Sequence, residues 1–440
     1  MDARRPGASD AVRPGNGLAH PPRRTAAGQT EREGGAMISF EFSPQQKQIK
    51  ELVHWFAKHE VRPIALEADR LGRVPDEWLQ KVNKMGIQLN ASSFGGGRAS
   101  ADSEKKKEKK EREGNRVAVI AAEELAWGCP GIALSLPGPG LGGPPIQSSG
   151  TPEQKQRFLS IFTKEEPRWG AYALTEPEAG SDASGIRTTA KKVDGGYLLN
   201  GQKIFITNGA RASWAVVFAT VDPKLGRAGH RAFVVEKGTP GFVATRTVHK
   251  MGLRANETAE LLFEDCFVPD ENLLGGEELY SANENRPSGF QVAMKTFDST
   301  RPIVAAMAVG IARAAYEYTL DIVRSEYPKQ GRLYYEAAAL LAEAEQEIDV
   351  ARLLTWEAAW KADIGEPNAM EAAICKAVAG KMALHVCAMC LELLGPVGLD
   401  GHLVEKLYRD VKVFDIFEGT QQIQRLVTAR RLYAPYGVHV

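Results

Sequence analysis

The stretch at 411–431 reads VKVFDIFEGTQQIQRLVTARR. Val413, Phe414, Ile416 and Phe417 form two apolar turns leading into Glu418. Gly419-Thr420 then breaks the chain, and Ile423, Leu426 and Val427 recur at helical spacing. Thr420 is suited to cap that new helix. A carboxylate set between apolar aromatics and a helix start feels two opposing influences. The helix end favours its ionised form by roughly 0.3–1 kcal/mol, whereas burial raises a carboxyl pKa by up to several units. Burial is expected to win where a ligand excludes water, which makes Glu418 a candidate base tuned toward neutral pH. A plain helix cap is the alternative for this stretch taken alone.

Working outward, the 440 residues exceed one ordinary core and predict two or three domains. Lys+Arg and Asp+Glu both total 55, so the overall charge draws in neither nucleic acid nor an anionic membrane. Small molecules and other proteins are the expected partners. Five scattered cysteines suit a reducing compartment better than a disulfide framework. The longest apolar run, 303–312, is half the length of a membrane span. The expectation is a soluble intracellular protein, in a bacterial cytoplasm or a mitochondrial matrix. Residues 1–36, rich in Pro and Gly with six arginines but also acidic groups, fit no targeting pattern and are expected to be a disordered extension.

From there the chain reads as helices, strands, helices, with expected domains at 37–168, 169–285 and 286–440. Ser43-Pro44-Gln45-Gln46 is a capping box with proline at the first helical position, and a second helical run covers 77–85. The mixed-charge stretch DSEKKKEKKERE at 102–113 has no apolar face and reads as a solvated insert. GPGLGG at 138–143 matches G-x-G-x-x-G, but the dinucleotide fingerprint needs a strand before it and a helix opening on its last glycine. Here Pro144-Pro145 follow, and the next helix is expected only at Thr151-Pro152-Glu153-Gln154. Between 171 and 270 the period changes to two, with turn signals at Asp194-Gly195 and Asn200-Gly201, so a small antiparallel β domain is predicted. Cys387-x-x-Cys390 beside His385 lies in an apolar helix without a second ligand pair, and core cysteines are expected there.

Two stretches of the β domain could face a ligand. In AYALTEPEAGSD, 171–182, Thr175 falls at a strand end and a Pro-Glu-Ala-Gly turn presents Ser181 with consecutive amides. In KIFITNG, 203–209, Phe205 and Thr207 fall on one strand face, so a ring and a hydroxyl could reach the same ligand. Ordinary strand ends would look the same.

IFEGTQQIQRLVTARR, 416–431, resembles the C-terminal signature of the acyl-CoA dehydrogenases, closest to the medium- and short-chain members, and the likeness runs from about residue 40 to about 435. It implies an α+β fold: an N-terminal helical domain, a central antiparallel β domain and a C-terminal four-helix bundle. It also implies bound FAD, with Tyr172, Leu174, Thr175 and Ser181 near flavin or substrate, Phe205 over the ring and Thr207 at N5. Glu418 would be the catalytic base, converting a short- or medium-chain acyl-CoA to the trans-2-enoyl-CoA, with Ser181, Glu418 and Gly419 at the substrate. Some members place the base upstream, where this chain has Thr300, which cannot serve. Arg301 would support the site from behind. Arg324, Thr420 and Gln422 would meet the adenine half of FAD across a subunit boundary in a homotetramer or homodimer, and an electron-transfer flavoprotein would accept the electrons. The segment at 138–143 would line the acyl pocket. Tyr327-Pro328, Tyr335, Glu392 and Pro396 depart from the pattern on the adenine side. They motivate the rival reading of a flavin-poor, non-catalytic binding protein; an oxidase or desulfinase is the rival within the fold.

Overall fold

The computed structural model describes residues 37–85, 113–163, 166–280, 288–329, 331–399 and 401–436, so the expected extension at 1–36 and nearly all of the charged insert lie outside the described residues. The capping box forms as read: the Ser43 hydroxyl accepts from the Gln46 amide, and helix α1 (Pro44–Phe56) buries Val53 and Phe56. Helices α2 (Ala65–Leu71) and α3 (Asp76–Lys84) follow, then the nearly all-buried α4 (Gly114–Gly128) and short α5 (Pro130–Ser135). A short helix α6 (Gly143–Ser149) precedes α7 (Pro152–Leu159), correcting the expectation that the chain stays irregular to Thr151. Pro144 and Pro145 do not block it, because proline at the first positions of a helix gives up only an N–H that has no partner there. A helix does open on the last glycine of GPGLGG, yet helix α5 and not a strand lies before it, so the dinucleotide pattern stays incomplete.

Strands β1 (Gly170–Ala173), β2 (Thr189–Val193), β3 (Gly196–Thr207), β4 (Trp214–Thr220), β5 (His230–Glu236), β6 (Phe242–Thr247) and β7 (Thr258–Pro269) form one sheet in the order β1-β4-β2-β3-β7-β6, with β5 also on β4. The sheet is mixed, not purely antiparallel: β1 and β2 both run parallel to β4. Asp194-Gly195 makes the β2–β3 turn. Asn200-Gly201, read as another turn, is instead a register shift inside the single strand β3. Gly201 has φ +149°, and a Cβ there would lie 2.7 Å from the Thr188 Cα, so close approach explains this glycine.

The C-terminal half holds the long helices α8 (Gly289–Glu326), α9 (Arg332–Asp363) and α10 (Ala369–Leu394), then α11 (Leu403–Val411) and α12 (Gln421–Tyr433). Helices α8, α9 and α10 pack on one another, α12 packs on α10, and α4 packs on α8. Among the described residues two helical segments, Gly289–Glu326 and Ala369–Gly398, are long and apolar enough to cross a membrane, but 67% and 50% of their apolar windows are buried inside the fold. All five cysteines are buried and unpaired, and among the described residues no cluster could hold a metal ion. His385 instead pairs with Glu347 at 3.0 Å.

Where α8 crosses α4, a Cβ on Gly310 would sit 2.1 Å from the Glu123 carbonyl oxygen. Gly310→Ala must push the helices apart, and we expect a loss of about 1–3 kcal/mol, read as a lower urea midpoint at unchanged slope.

Candidate active site

A cavity of about 430 Å3 lies between α4, α6 and α8, the ends of β1 and β3, and the turn before α12. Its character changes along α8, whose residues Thr296, Thr300, Ile303, Val304 and Met307 recur at helical spacing on the wall. Lys295 and Ser299 are solvent-exposed, while the wall beyond Thr300 is buried and apolar, faced by Ala118, Ala122 and Leu125 of α4. Among the described residues, Glu418 and Lys295 are the only charged ones in this lining.

Glu418 follows the 3-10 turn Lys412–Asp415, has φ +55°, and is followed by Gly419 at φ +94°. The Thr420 hydroxyl accepts from the Ile423 amide at 3.3 Å and starts α12 as the sequence predicts. The pocket wall that Glu418 joins is mostly apolar, and this burial raises its carboxyl pKa to about 7; the Thr300 hydroxyl, Arg301 and Lys376 act in the opposite sense. Thr300 Oγ1 donates to Glu418 Oε2 at 2.8 Å, so the residue that cannot itself be a base holds the carboxylate of the one that can. Arg301, 5% exposed, pairs with Asp298 at 3.0 Å and reaches the Glu418 carbonyl through Nε at 3.4 Å. Pro302 deprives the Asp298 carbonyl of its usual helical donor, and Asn368 Nδ2 approaches that carbonyl at 3.4 Å instead.

The ends of β1 and β3 bring together Tyr172, Leu174, Thr175, Phe205 and Thr207, all of which line the cavity with Glu418. Phe205 has φ +60° and leaves 60% of its surface exposed. An aromatic held out in a left-handed conformation is costly unless something covers it. The Tyr172 hydroxyl is buried with no hydrogen-bond partner among the described residues, and its ring packs on Phe218 and Phe297 with centroids 5.0 and 5.7 Å away. An open ring face, flanking threonine hydroxyls and an unsatisfied phenol fit a flat, hydrogen-bonding heterocycle. Behind them Lys203, fully buried, donates to the Leu174 carbonyl at 3.0 Å and to Glu176 at 2.7 Å. Glu176 also accepts from the Arg187 and Thr188 amides, so the Thr175 loop is tied to the entry of β2 as well as, through Lys203, to β3.

Other predicted site residues lie elsewhere. Ser181 is exposed and off the cavity lining. Gly419 sits behind Glu418, and Gln422 is exposed on the first turn of α12. Arg324 is exposed 24 residues beyond Thr300 on α8, roughly 36 Å along the axis, so it does not reach this cavity. The Tyr327 hydroxyl donates to the Leu393 carbonyl, which sets the end of α8 beside the end of α10, where Glu392 is exposed, and the turn after it, where Pro396 is exposed. Sequence reasoning missed Lys203, Glu176, Lys376 and Gln424; the signal available for Lys376 was a lone lysine in the apolar run EAAICKAVAG.

Residues 43–166, 171–266 and 287–433 match the N-terminal, middle and C-terminal domains of acyl-CoA dehydrogenase. The chain is 36% identical over 413 residues to acryloyl-CoA reductase (NADH) of Anaerotignum propionicum, covering 91% of this chain and 98% of the relative. The butyryl-CoA dehydrogenase structure from Megasphaera elsdenii superposes with a TM-score of 0.77 at 33% identity, over 90% of this chain and 100% of that one. A chain in a structure described as the electron transferring flavoprotein of Acidaminococcus fermentans gives 0.77 at 32% identity, over 90% and 99%.

Proposed function

The chain belongs to the acyl-CoA dehydrogenase family, and from that premise we propose that Glu418 is the base with which it desaturates short-chain acyl-CoA thioesters. The observation that carries this assignment is a carboxyl on the cavity wall, raised to about 7 by burial and bonded through Oε2 to Thr300. A carboxylate of that basicity is matched to removing the proton alpha to a thioester carbonyl near neutral pH.

Glu418 takes the α-proton, and the buried wall beyond Thr300 receives the acyl chain. Thr175, Phe205, Thr207, Tyr172 and Leu174 would hold the flavin. When bound, FAD supplies the acceptor for the hydride leaving the β carbon, and the products are the trans-2-enoyl-CoA, reduced FAD and protonated Glu418. Arg324, Thr420 and Gln422 are assigned to the adenine side, which requires a homodimer or homotetramer because Arg324 lies far from its own cavity. Likeness to the Acidaminococcus structure supports an electron transferring flavoprotein as acceptor, and likeness to butyryl-CoA dehydrogenase supports a short acyl group.

The test is the visible spectrum of the protein reconstituted with FAD, recorded without oxygen before and after butyryl-CoA or octanoyl-CoA. Bleaching of the flavin band, faster with butyryl-CoA, is expected. Protein that takes up no FAD, or holds it and is not bleached, overturns the reading.

The pH dependence has a definite sign. Glu418 acts only when ionised, so bleaching slows as pH falls through about 7, approaching tenfold per unit below it, as stopped-flow rates would show. Stability runs the other way. The folded-state pKa lies above that of the unfolded chain, so this group's contribution is complete below the ordinary carboxylate range and is lost as pH rises through about 7.

A further inference from the structure

Glu418 and Gly419 are consecutive left-handed residues, and for a non-glycine side chain that conformation costs on the order of 1–2 kcal/mol. Their carbonyls are held in place by side chains. Gln424 Nε2 donates to both at 3.1 Å, Arg301 Nε reaches the first at 3.4 Å, and Lys376 Nζ donates to the second at 2.7 Å. Lys376 is 1% exposed on the inner face of α10, and the Gly419 carbonyl is its one acceptor among the described residues. A buried ammonium facing a neutral carbonyl is unfavourable unless negative charge lies close by. Here Glu418 and Asp415 provide it, and burial still pulls Lys376 down to about 8. The other groups around the pair are Thr300, Arg301 and Asp298 from α8, Cys375 from α10, Tyr172 from β1 and, toward Asp298, Arg431 from α12.

We propose that Lys376 is a positioning residue of this site: by pinning the Gly419 carbonyl from α10 it helps keep the Glu418–Gly419 pair left-handed, and its ammonium favours the ionised carboxylate. Lys376 is not on the cavity wall, so it acts through Glu418. The proposal rests on Glu418 being the base.

The experiment measures flavin bleaching by butyryl-CoA against pH in full-length, FAD-loaded Lys376→Gln and Lys376→Met. Gln keeps an N–H donor without the charge. Its acid limb is expected to move up by about one pH unit, so that the rate at pH 6 falls about tenfold while the alkaline plateau stays within about threefold. Met loses both contributions, and its plateau is expected to fall at least about tenfold as well. An acid limb unmoved in Lys376→Gln overturns the proposal. So does a Lys376→Gln protein that does not fold, since it would mark the lysine as a requirement of the core. Should Lys376→Met alone fail to fold, the Gln variant decides. The two readings fail separately: wild-type rates in Glu418→Gln would remove the base itself, whereas an inactive Glu418→Gln beside an unmoved Lys376→Gln limb removes only Lys376.

Discussion

Glu418→Gln is expected to lower flavin bleaching by butyryl-CoA about 10^3- to 10^4-fold, with the fold and bound FAD retained. The substitution keeps shape and an oxygen acceptor for the Thr300 hydroxyl, now 2.8 Å from Oε2, but removes the site that takes the proton. Residual turnover should lose its dependence on pH near 7, because the group that titrates there is gone. The visible spectrum reports retained flavin, and a thermal melt reports the fold. A variant within tenfold of wild type would mean that another residue removes the proton, and the described lining offers no other carboxylate.

Asp363→Ala is expected to cost about 3–5 kcal/mol, the range for breaking a buried ion pair from one side, and to lower the urea midpoint accordingly. Asp363 ends α9, is 4% exposed, and accepts from four donors at the start of α4: the Asn115 amide at 2.8 Å, Asn115 Nδ2 at 3.0 Å, the Arg116 amide at 3.2 Å and Arg116 Nε at 2.9 Å. It does the work of a cap, since Glu113 at the N-cap position makes no side-chain capping bond. Removing it takes the acceptor from the buried Arg116 amide and the half-buried Asn115 amide, and it takes away the 2.9 Å ion pair that Arg116 makes with Asp363. Because α4 carries Ala118, Ala122 and Leu125 of the apolar wall, KM for the acyl-CoA should rise in the same variant. A loss below about 1 kcal/mol would show that the start of α4 is held by something else.

What could be read from the sequence divides along the range of the interactions. The caps at Ser43 and Thr151, the Asp194-Gly195 turn and the helix–strand–helix order depend on neighbours within a few residues, and they formed. Glu418 announced itself because its apolar approach and the Gly-Thr break lie in one stretch. Its partner Thr300 lies 118 residues away, and no local pattern marks a hydroxyl that will meet a carboxylate. Strand β6, within the predicted β region, carries no alternation of its own, because at the sheet edge all but Phe242 is exposed. Gly201 and Pro144 were misread for one reason: both residue types punctuate a chain, but glycine also serves close approach and proline also serves helix starts. The mixed sheet followed from which strands β4 accepts beside it, which is a property of topology.

Helix α8 is also a measuring rod. Each residue advances the wall by roughly 1.5 Å, so from Thr300, level with the reacting carboxylate, to Met307 is seven residues or about 10 Å. The zero mark and the far graduation are cut on the same rigid bar. The point of reaction and the length of chain admitted beyond it are therefore fixed against each other, and a change of acyl length is made by recutting a graduation, Ile303, Val304 or Met307, with the zero mark left where it is.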